Sequence, residues 1–247
     1  MNIGVQLYTV RDYLGTKERI KDTFSKIKSM GYDCVQSFGA LPCVSYSEFA
    51  TLAKDAGLKI CATFEDFDSM CHSPKEVSEM IKPYDTHIVG TAFSMRGDNP
   101  ENVLARLKLA SDNMWKEGYI FSYHNHEHEF SKYKNTNIMD YYIENTDPQK
   151  VTFCFDTFWA QYGGADVRYY IQKLSGRLHT LHLKDYAVSN GRPMFAPVGS
   201  GNMYWDGIIE SAKESGTEYF LVEQDECYGE NPFEALKKSR DFIEKYI

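Results

Sequence analysis

The segment Val151-Thr-Phe-Cys-Phe-Asp156 joins five residues typical of a buried strand to a carboxylate at its end. Three more apolar runs in the second half of the chain end in an imidazole or a carboxylate: Phe121-Ser-Tyr-His124-Asn-His126, Leu178-His-Thr-Leu-His182 and Tyr219-Phe-Leu-Val-Glu223. Each interval between the runs is long enough for one helix and its loops, which suits successive strand–helix units of a parallel barrel. Because the strand ends of such a barrel converge on one mouth, the sequence predicts that these side chains meet.

Short strands alternate with amphipathic helices along the chain, and a helix followed by Gly precedes several strands, at Gly31, Gly57, Gly118, Gly216 and, more loosely, Gly176. Gly just past a helix end supplies a left-handed cap. We predict strands at Ile3–Tyr8, Cys34–Ser37, Leu58–Thr63, Thr86–Gly90, Ile120–His124, Val151–Phe155, Leu178–Leu183 and Tyr219–Val222. We predict helices at Thr16–Met30, Tyr46–Ala56, Pro74–Lys82, Pro100–Glu117, Asn137–Asn145, Ala165–Leu174, Trp205–Ser215 and Pro232–Tyr246. The expected fold is α/β, a single (β/α)8 TIM barrel over residues 1–247.

An open doubly wound sheet is the alternative fold, and it would normally carry a Gly-rich phosphate turn after an early strand. The first strand here runs into Tyr8-Thr-Val-Arg11-Asp12 without such a turn, which favours the barrel. The longest irregular stretch is expected at about Asp185–Tyr204, on the mouth face, where long loops usually cover substrate.

Bulk composition excludes several classes of function. The 247 residues suit one domain, and a net charge of −8 without a basic stripe argues against a nucleic-acid partner. No stretch approaches the roughly 20 apolar residues of a membrane span, and no signal peptide is evident, so a cytoplasmic protein without membrane association is expected. The six cysteines show no CxxC pair, and Cys61 and Cys154 are expected to be buried free thiols.

Histidines cluster after the fifth predicted strand, in His124-Asn-His126-Glu127-His128-Glu129. His124 and His126 lie two apart, so on an extended strand both would face the barrel mouth. We predict His124 as a metal ligand and His126 as a catalytic group. The alternative is a solvated loop that is rich in His and Glu.

Asp156 and Glu223 each end a strand of buried type, where a carboxylate is costly unless it is paired or metal-bound. Both are predicted metal ligands, and Glu223 is also a predicted base. Asp156 could instead cap the next turn. Trp159, three residues after Asp156, is a predicted apolar wall for substrate or else an ordinary core residue.

His182 is the fourth predicted metal ligand, and Lys184 lies two residues beyond it, also facing the mouth. Lys184 is predicted to bind substrate and to hold an oxyanion or a phosphate, or else to form a structural ion pair with Asp185 or Glu223. Tyr8, the last residue of the first predicted strand, is a further predicted substrate contact. A mixed set of nitrogen and oxygen ligands indicates one divalent ion, Mn²⁺, Zn²⁺, Co²⁺ or Mg²⁺.

The chain resembles the xylose isomerase-like barrel superfamily of sugar phosphate isomerases and epimerases, which also contains apurinic endonucleases. The resemblance runs nearly end to end and rests on VQLYTVRD, YHNHEHEF, FDTFWAQYGGAD, LHLKD, VGSGNMYW and LVEQDE. It implies a divalent cation bound by residues that match His124, Asp156, His182 and Glu223, and a homodimer is a further possibility.

Several positions depart from the family pattern. Epimerases of the superfamily usually carry Glu where this chain has His124, which leaves a symmetric two-base mechanism without its second base unless Glu127 or Glu129 substitutes. Gln36 and Thr63 replace a Glu and a His that relatives often show at the second and third strand ends. Thr63, Trp159 and Phe195 stand where the three-metal endonucleases need ligands, so phosphodiester hydrolysis is not expected.

The resemblance and the residues together predict a metal-dependent isomerase or epimerase acting on a ketose or other keto-sugar. The metal would act as a Lewis acid while a proton leaves the carbon next to the carbonyl. A lyase or dehydratase on a keto-sugar or keto-inositol is the alternative, since it begins with the same step and needs no second base. A sugar-binding barrel without turnover is the non-enzymatic alternative.

Overall fold

The computed structural model describes residues 1–92 and 97–247. Its centre is a closed barrel of eight parallel strands, which confirms the predicted fold. In chain order, the strands of the described ranges are β1 (Asn2–Gln6), β2 (Cys34–Ser37), β3 (Lys59–Phe64), β4 (Ile88–Thr91), β5 (Ile120–His124), β6 (Lys132–Tyr133), β7 (Thr136–Asn137), β8 (Val151–Asp156), β9 (Thr180–Leu183), β10 (Asp185–Ser189), β11 (Arg192–Ala196) and β12 (Tyr219–Val222). The barrel order is β1-β12-β9-β8-β5-β4-β3-β2, and pairing of β1 with β2 closes it.

The helices pack outside the barrel. They are α1 (Lys17–Ser29), α2 (Tyr46–Asp55), α3 (Phe67–His72), α4 (Pro74–Ile81), α5 (Pro100–Lys116), α6 (Ile138–Asn145), α7 (Thr157–Tyr162), α8 (Val167–Lys173), α9 (Trp205–Glu214) and α10 (Pro232–Ile243). Polar side chains start many of them; the α2 cap, for example, is a reciprocal box in which Ser45 and Glu48 bond each other's backbone N–H. The predicted glycine caps are confirmed by left-handed backbone at Gly57 and Gly216, which directly precede strand-forming segments.

Three local predictions were wrong. The first strand ends at Gln6, because Leu7–Tyr13 forms a 3-10 helix whose start is capped by the Gln6 side chain. The short helices α3 and α7 were not predicted, and each is capped by the Asp that precedes it. The stretch Asp185–Tyr204 is not wholly irregular, because β10 and β11 form an antiparallel hairpin in it.

The β10–β11 hairpin turns at Asn190-Gly191, where both residues have positive φ. Asn-Gly is the dipeptide that tight hairpin turns prefer, since both central positions require left-handed backbone. The hairpin was therefore recognisable in the sequence. It lies at the mouth of the barrel, directly after β9.

The larger part of the core fills the space between the barrel and its helices. A smaller cluster fills the inside of the barrel and consists of Cys34, Cys61, Ala62, Ile88, Tyr219 and Leu221. All six cysteines are free, and Cys61 and Cys154 are buried, as predicted. Among the helices in residues 1–92 and 97–247, none is long and apolar enough to cross a bilayer.

Candidate metal centre and active-site cavity

The four predicted metal ligands converge at the carboxyl ends of four barrel strands. His124 and Asp156 are the last residues of β5 and β8, His182 lies in β9, and Glu223 directly follows β12. Each offers one ligand atom, and these atoms all lie within 4.8 Å of one another, with all four residues buried. The register of the parallel strands thus brings together residues that are far apart in the chain.

Asp156 makes the helix cap that its sequence position allowed and also faces the cluster, where its role as a metal ligand stays a prediction. Its Oδ1 accepts the Trp159 N–H at 3.0 Å and caps α7. Its Oδ2 faces the cluster, 3.4 Å from His124 Nε2 and 3.2 Å from Lys184 Nζ. Burial acts to raise the pKa of Asp156, but the Lys184 charge and the two histidines outweigh it and hold the pKa well below its ordinary value. The carboxylate is therefore ionised.

Lys184 is a fully buried ammonium that is shared among three carboxylates. Its Nζ lies 3.2 Å from Asp156, 3.1 Å from Glu223 and 2.7 Å from Asp225. Burial acts to lower the pKa of Lys184, but these neighbours raise it above its ordinary value, so the group stays charged. The rings of Trp159 and Phe195 lie over the ammonium at 5.3 and 5.4 Å.

Of the two structural partners considered for Lys184, the structure shows Glu223 and not Asp185. Asp185 faces the loop after β11 instead, where its Oδ2 accepts the N–H groups of Gly199 and Gly201 and the indole N–H of Trp205. The ion pair with Glu223 does not test the predicted contact with substrate. That contact stays a prediction.

Glu223 and Asp225 share Lys184 but differ in acidity. Burial acts to raise the pKa of Glu223, but Lys184 and His182 outweigh it and lower the pKa to about 2. Burial raises the pKa of Asp225 to about 6, and the Lys184 charge only partly offsets it. Such a split is the usual basis on which one carboxyl group acts as a base and its neighbour as an acid.

Burial favours the neutral form of His124 and His126, which lie at the end of β5 and just after it. Burial lowers the pKa of His124 below its ordinary value, although Asp156 opposes the shift. Burial, reinforced by His124, lowers the pKa of His126 to about 2. The two rings contact each other at 4.8 Å between centroids, so this wall of the site presents imidazole nitrogens and no charge.

The site fits a divalent cation. Two carboxylates and two imidazoles form a mixed set of oxygen and nitrogen donors of the kind that Mn²⁺, Zn²⁺ and Co²⁺ accept. Nδ1 of His124 and Nδ1 of His182 are buried and make no hydrogen bond with the residues that the structure describes. Asp156, Glu223 and Asp225 against one Lys184 leave two negative charges when all three are ionised, and a divalent ion would balance them.

A cavity of about 270 Å³ opens beside the cluster. It is lined by Gln6, Tyr8, Phe38, Phe64, Ala92, His124, His126, His182, Lys184, Glu223 and Asp225. The predicted contacts Tyr8, His126 and Lys184 are thus at its wall. Trp159 lies behind that wall, against His126 at 5.3 Å between ring centroids, and its contact with substrate stays a prediction.

Near the site, Asp225 was not assigned from the sequence, and Glu129 was considered only as a substitute base. Asp225 follows Glu223 by two residues, and strand periodicity alone would have placed it on the same side. Glu129 is buried and accepts the Tyr123 hydroxyl at 2.6 Å and the His126 N–H at 2.8 Å, so it fixes the turn that carries His126. Glu127 and Glu129, considered as substitutes for a fifth-strand glutamate, are not among the cavity-lining residues.

Comparison with known proteins identifies the family. The model of the xylose isomerase-like TIM barrel matches residues 24–246, nearly the whole chain. The chain belongs to the xylose isomerase-like TIM-barrel family. The resemblance inferred from the sequence motifs is therefore confirmed.

Curated relatives match part of this chain in sequence, and solved structures share its fold. An inosose dehydratase of Geobacillus thermodenitrificans is 28% identical over 136 residues, which cover 48% of this chain and 45% of the relative. The chain spans about half the length of the curated relatives it matches. A sugar phosphate isomerase/epimerase from Parabacteroides distasonis superimposes with a TM-score of 0.83 at 22% identity, covering 98% of this chain and 92% of that one. An L-ribulose 3-epimerase gives a TM-score of 0.75 at 14% identity, with coverages of 98% and 93%.

Proposed function

We propose that this protein is a metal-dependent enzyme that removes a proton next to the carbonyl of a keto-sugar or keto-cyclitol and then eliminates water. The observation that carries the proposal is the one-sided placement of acid and base. Glu223 and Asp225 both follow β12, whereas β5, three strands away around the barrel, contributes the neutral imidazoles of His124 and His126.

His124, Asp156, His182 and Glu223 would hold the metal, which would supply Lewis acidity to a carbonyl oxygen. Glu223, ionised at any ordinary pH, takes the proton from the adjacent carbon. Asp225, with a pKa of about 6, donates a proton to the departing hydroxyl. Lys184 keeps both carboxylates in place, and the neutral ring of His126 offers a hydrogen bond to a substrate oxygen.

Isomerisation of a keto-sugar is the second candidate, because a base on one face can remove a proton and return it on that same face. Epimerisation needs proton transfer on both faces of one carbon. On the β5 side, the cavity-lining groups that could make the second transfer are His124 and His126. Burial lowers the pKa of both, which makes them weaker bases. The curated relatives named inosose dehydratase support elimination over epimerisation for this chain.

The test is product analysis with the metal-loaded protein. Purified protein offered Mn²⁺, Co²⁺ or Zn²⁺ is incubated with ketohexoses and keto-inositols in D₂O, and products are followed by mass spectrometry and proton NMR. We expect loss of water from one substrate, with deuterium exchange at the carbon next to the carbonyl. Isomerisation would give a product that contains deuterium but has lost no water. If no substrate in the panel exchanged deuterium, the proposal would be contradicted.

The matched variants are Glu223→Gln and Glu218→Gln. The first replaces the proposed base, and we expect it to lower turnover by at least about 100-fold. The second changes a half-exposed glutamate before the same strand, which pairs with His179 outside the cavity. Its activity should match that of the wild type, and equal loss in both variants would contradict the role given to Glu223.

A further inference from the structure

A backbone N–H and three buried side chains form a chain of hydrogen bonds from the residues after β1 to the proposed ligand cluster. The Tyr8 N–H donates to Gln6 Oε1 at 3.1 Å, and Gln6 Nε2 donates to Gln36 Oε1 at 2.9 Å. The same Gln36 oxygen lies 2.6 Å from His182 Nε2. Gln6, Gln36 and His182 are at most 1% exposed.

The direction of every bond in this chain follows from its first member. A backbone N–H can only donate, so the oxygen of the Gln6 amide must face Tyr8 and its NH₂ must face Gln36. Two NH₂ groups cannot bond each other, so Gln36 must turn its oxygen to Gln6. That oxygen can then only accept from His182, and Nε2 of His182 must carry a hydrogen.

The other nitrogen of His182 is therefore the one available to a metal. Nδ1 lies 2.9 Å from Glu223 Oε2 and 3.6 Å from Asp156 Oδ2, inside the proposed ligand cluster. It makes no hydrogen bond of ordinary geometry with the described residues. A metal ligand that donates its second ring N–H to a fixed acceptor is held in one tautomer and one orientation.

We propose that Gln36 is a positioning residue that fixes His182 with its hydrogen on Nε2, so that Nδ1 serves as the metal ligand. This inference rests on the metal site of the proposed function. Gln6 acts one step further away, since it prevents the Gln36 amide from turning over. A glutamine suits this place because it accepts the imidazole hydrogen without adding charge to a cluster that already contains three carboxylates.

The state of the ring can be read by long-range ¹H–¹⁵N NMR on metal-free protein labelled at its seven histidines. We expect a slowly exchanging hydrogen on Nε2 of His182, assigned by its loss in His182→Asn. His179 is the internal reference, since its Nδ1 lies 2.7 Å from Glu218 Oε1 and should carry the hydrogen instead. Absence of a hydrogen on Nε2 of His182 would overturn the proposal.

Three variants test the position of the ring. Gln36→Leu removes the acceptor, and we expect the Nε2 hydrogen to exchange rapidly and zinc affinity, measured by calorimetry, to fall about 10–100-fold. Gln36→Glu keeps an acceptor and should retain both the slow hydrogen and zinc affinity within about threefold. Gln6→Glu still accepts from Tyr8 but cannot donate to Gln36, so we expect an intermediate loss.

Circular dichroism and the unfolding midpoint show which variants are folded, and Gln36→Glu provides the rescue that a purely structural role would not predict. Wild-type zinc affinity in a folded Gln36→Leu variant would overturn the proposal. Wild-type protein that binds none of the offered metals would contradict both the proposed function and the ligand role of Nδ1. The NMR experiment separates failure of the metal site from failure of the positioning role of Gln36, because it reports without any metal which nitrogen of His182 carries the hydrogen.

Discussion

At the scale of single residues, side chains at this site have two tasks, one for the fold and one for the cavity. Asp156 caps α7 with one oxygen and faces His124 and Lys184 with the other. Glu129 accepts hydrogen bonds from the Tyr123 hydroxyl and from the N–H of His126, which lines the cavity. Substitutions that separate the two tasks therefore reveal more than simple truncation does.

Asp156→Asn and Asp156→Ala separate the cap from the cluster. Asn keeps an oxygen for the Trp159 N–H, so we expect the Ala variant to be less stable than the Asn variant by about 1 kcal/mol. Both variants lose the carboxylate, and metal affinity should fall by at least about 100-fold in both. Chemical denaturation and metal analysis by mass spectrometry measure the two effects. Full metal binding by Asp156→Asn would contradict the ligand role.

Glu65 gives a pH dependence outside the metal cluster. It lies directly after β3 and accepts the hydroxyls of Thr63 and Tyr46, each at 2.6 Å. Burial raises its pKa above the ordinary value, with the two hydroxyls opposing the shift. The folded state therefore holds this proton more tightly than the unfolded state, so its contribution to stability is complete below the unfolded pKa and is lost as pH rises through the folded pKa.

Glu65→Gln mimics the protonated side chain at every pH. We expect its unfolding free energy, relative to that of the wild type, to increase between pH 4 and pH 8. Urea denaturation at pH 4, 6 and 8 measures the difference. A flat profile for Glu65→Gln would show that the pKa of Glu65 is the same in the folded and unfolded states.

At the scale of elements, one carboxylate connects the start of the hairpin β10–β11 to the loop after it and to α9. Asp185 begins the hairpin and accepts three hydrogen bonds, two from backbone N–H groups of the loop before α9 and one from the indole of Trp205, the first residue of α9. This hairpin carries Phe195, which packs over Lys184. The position of the hairpin beside the site therefore depends in part on a residue next to the end of β9.

Asp185→Ala should loosen this cover without unfolding the barrel. The loss of three hydrogen bonds to one charged group should lower the free energy of local unfolding by roughly 3 kcal/mol. We therefore expect faster amide hydrogen exchange across residues 185–205. Asp166→Ala is the control, since Asp166 caps α8 with one bond to the Tyr169 N–H and should cost about 1 kcal/mol. Unchanged exchange in Asp185→Ala would show that the loop is held by other contacts.

At the scale of the whole molecule, barrel closure requires close approach of neighbouring strands. A Cβ at Gly90 in β4 would lie 2.0 Å from the Ser122 carbonyl oxygen of β5. Neither backbone can move without breaking the ladder between them, since Gly90 and Ser122 are register partners. Closure thus depends on a residue without a side chain at this position.

Gly90→Ala should therefore destabilise the protein by roughly 3 kcal/mol, at the upper end of ordinary overpacking. Gly118→Ala is the control, because a Cβ there meets nothing within 4 Å and only its positive φ is unfavourable, at about 1 kcal/mol. Urea denaturation of both variants provides the comparison. Equal losses of unfolding free energy in the two variants would mean that β4 and β5 move apart easily to admit a Cβ. That outcome would contradict the closure argument.

The sequence by itself determined the barrel and the four converging residues. Strand–helix alternation sets the topology, and parallel strands place every strand end at one mouth, so His124, Asp156, His182 and Glu223 could be recognised one at a time. Local signals also existed for features that were missed, such as Asn190-Gly191 in the hairpin.

Only the tertiary structure decided how the side chains share their partners. The three carboxylates on Lys184 and the bonds from Tyr8 through Gln6 and Gln36 to His182 join residues from strands that are far apart in the chain. Sequence spacing predicts which face of the barrel a residue lies on. The pairing of its polar atoms follows from distances across the barrel, which are fixed only when the barrel closes.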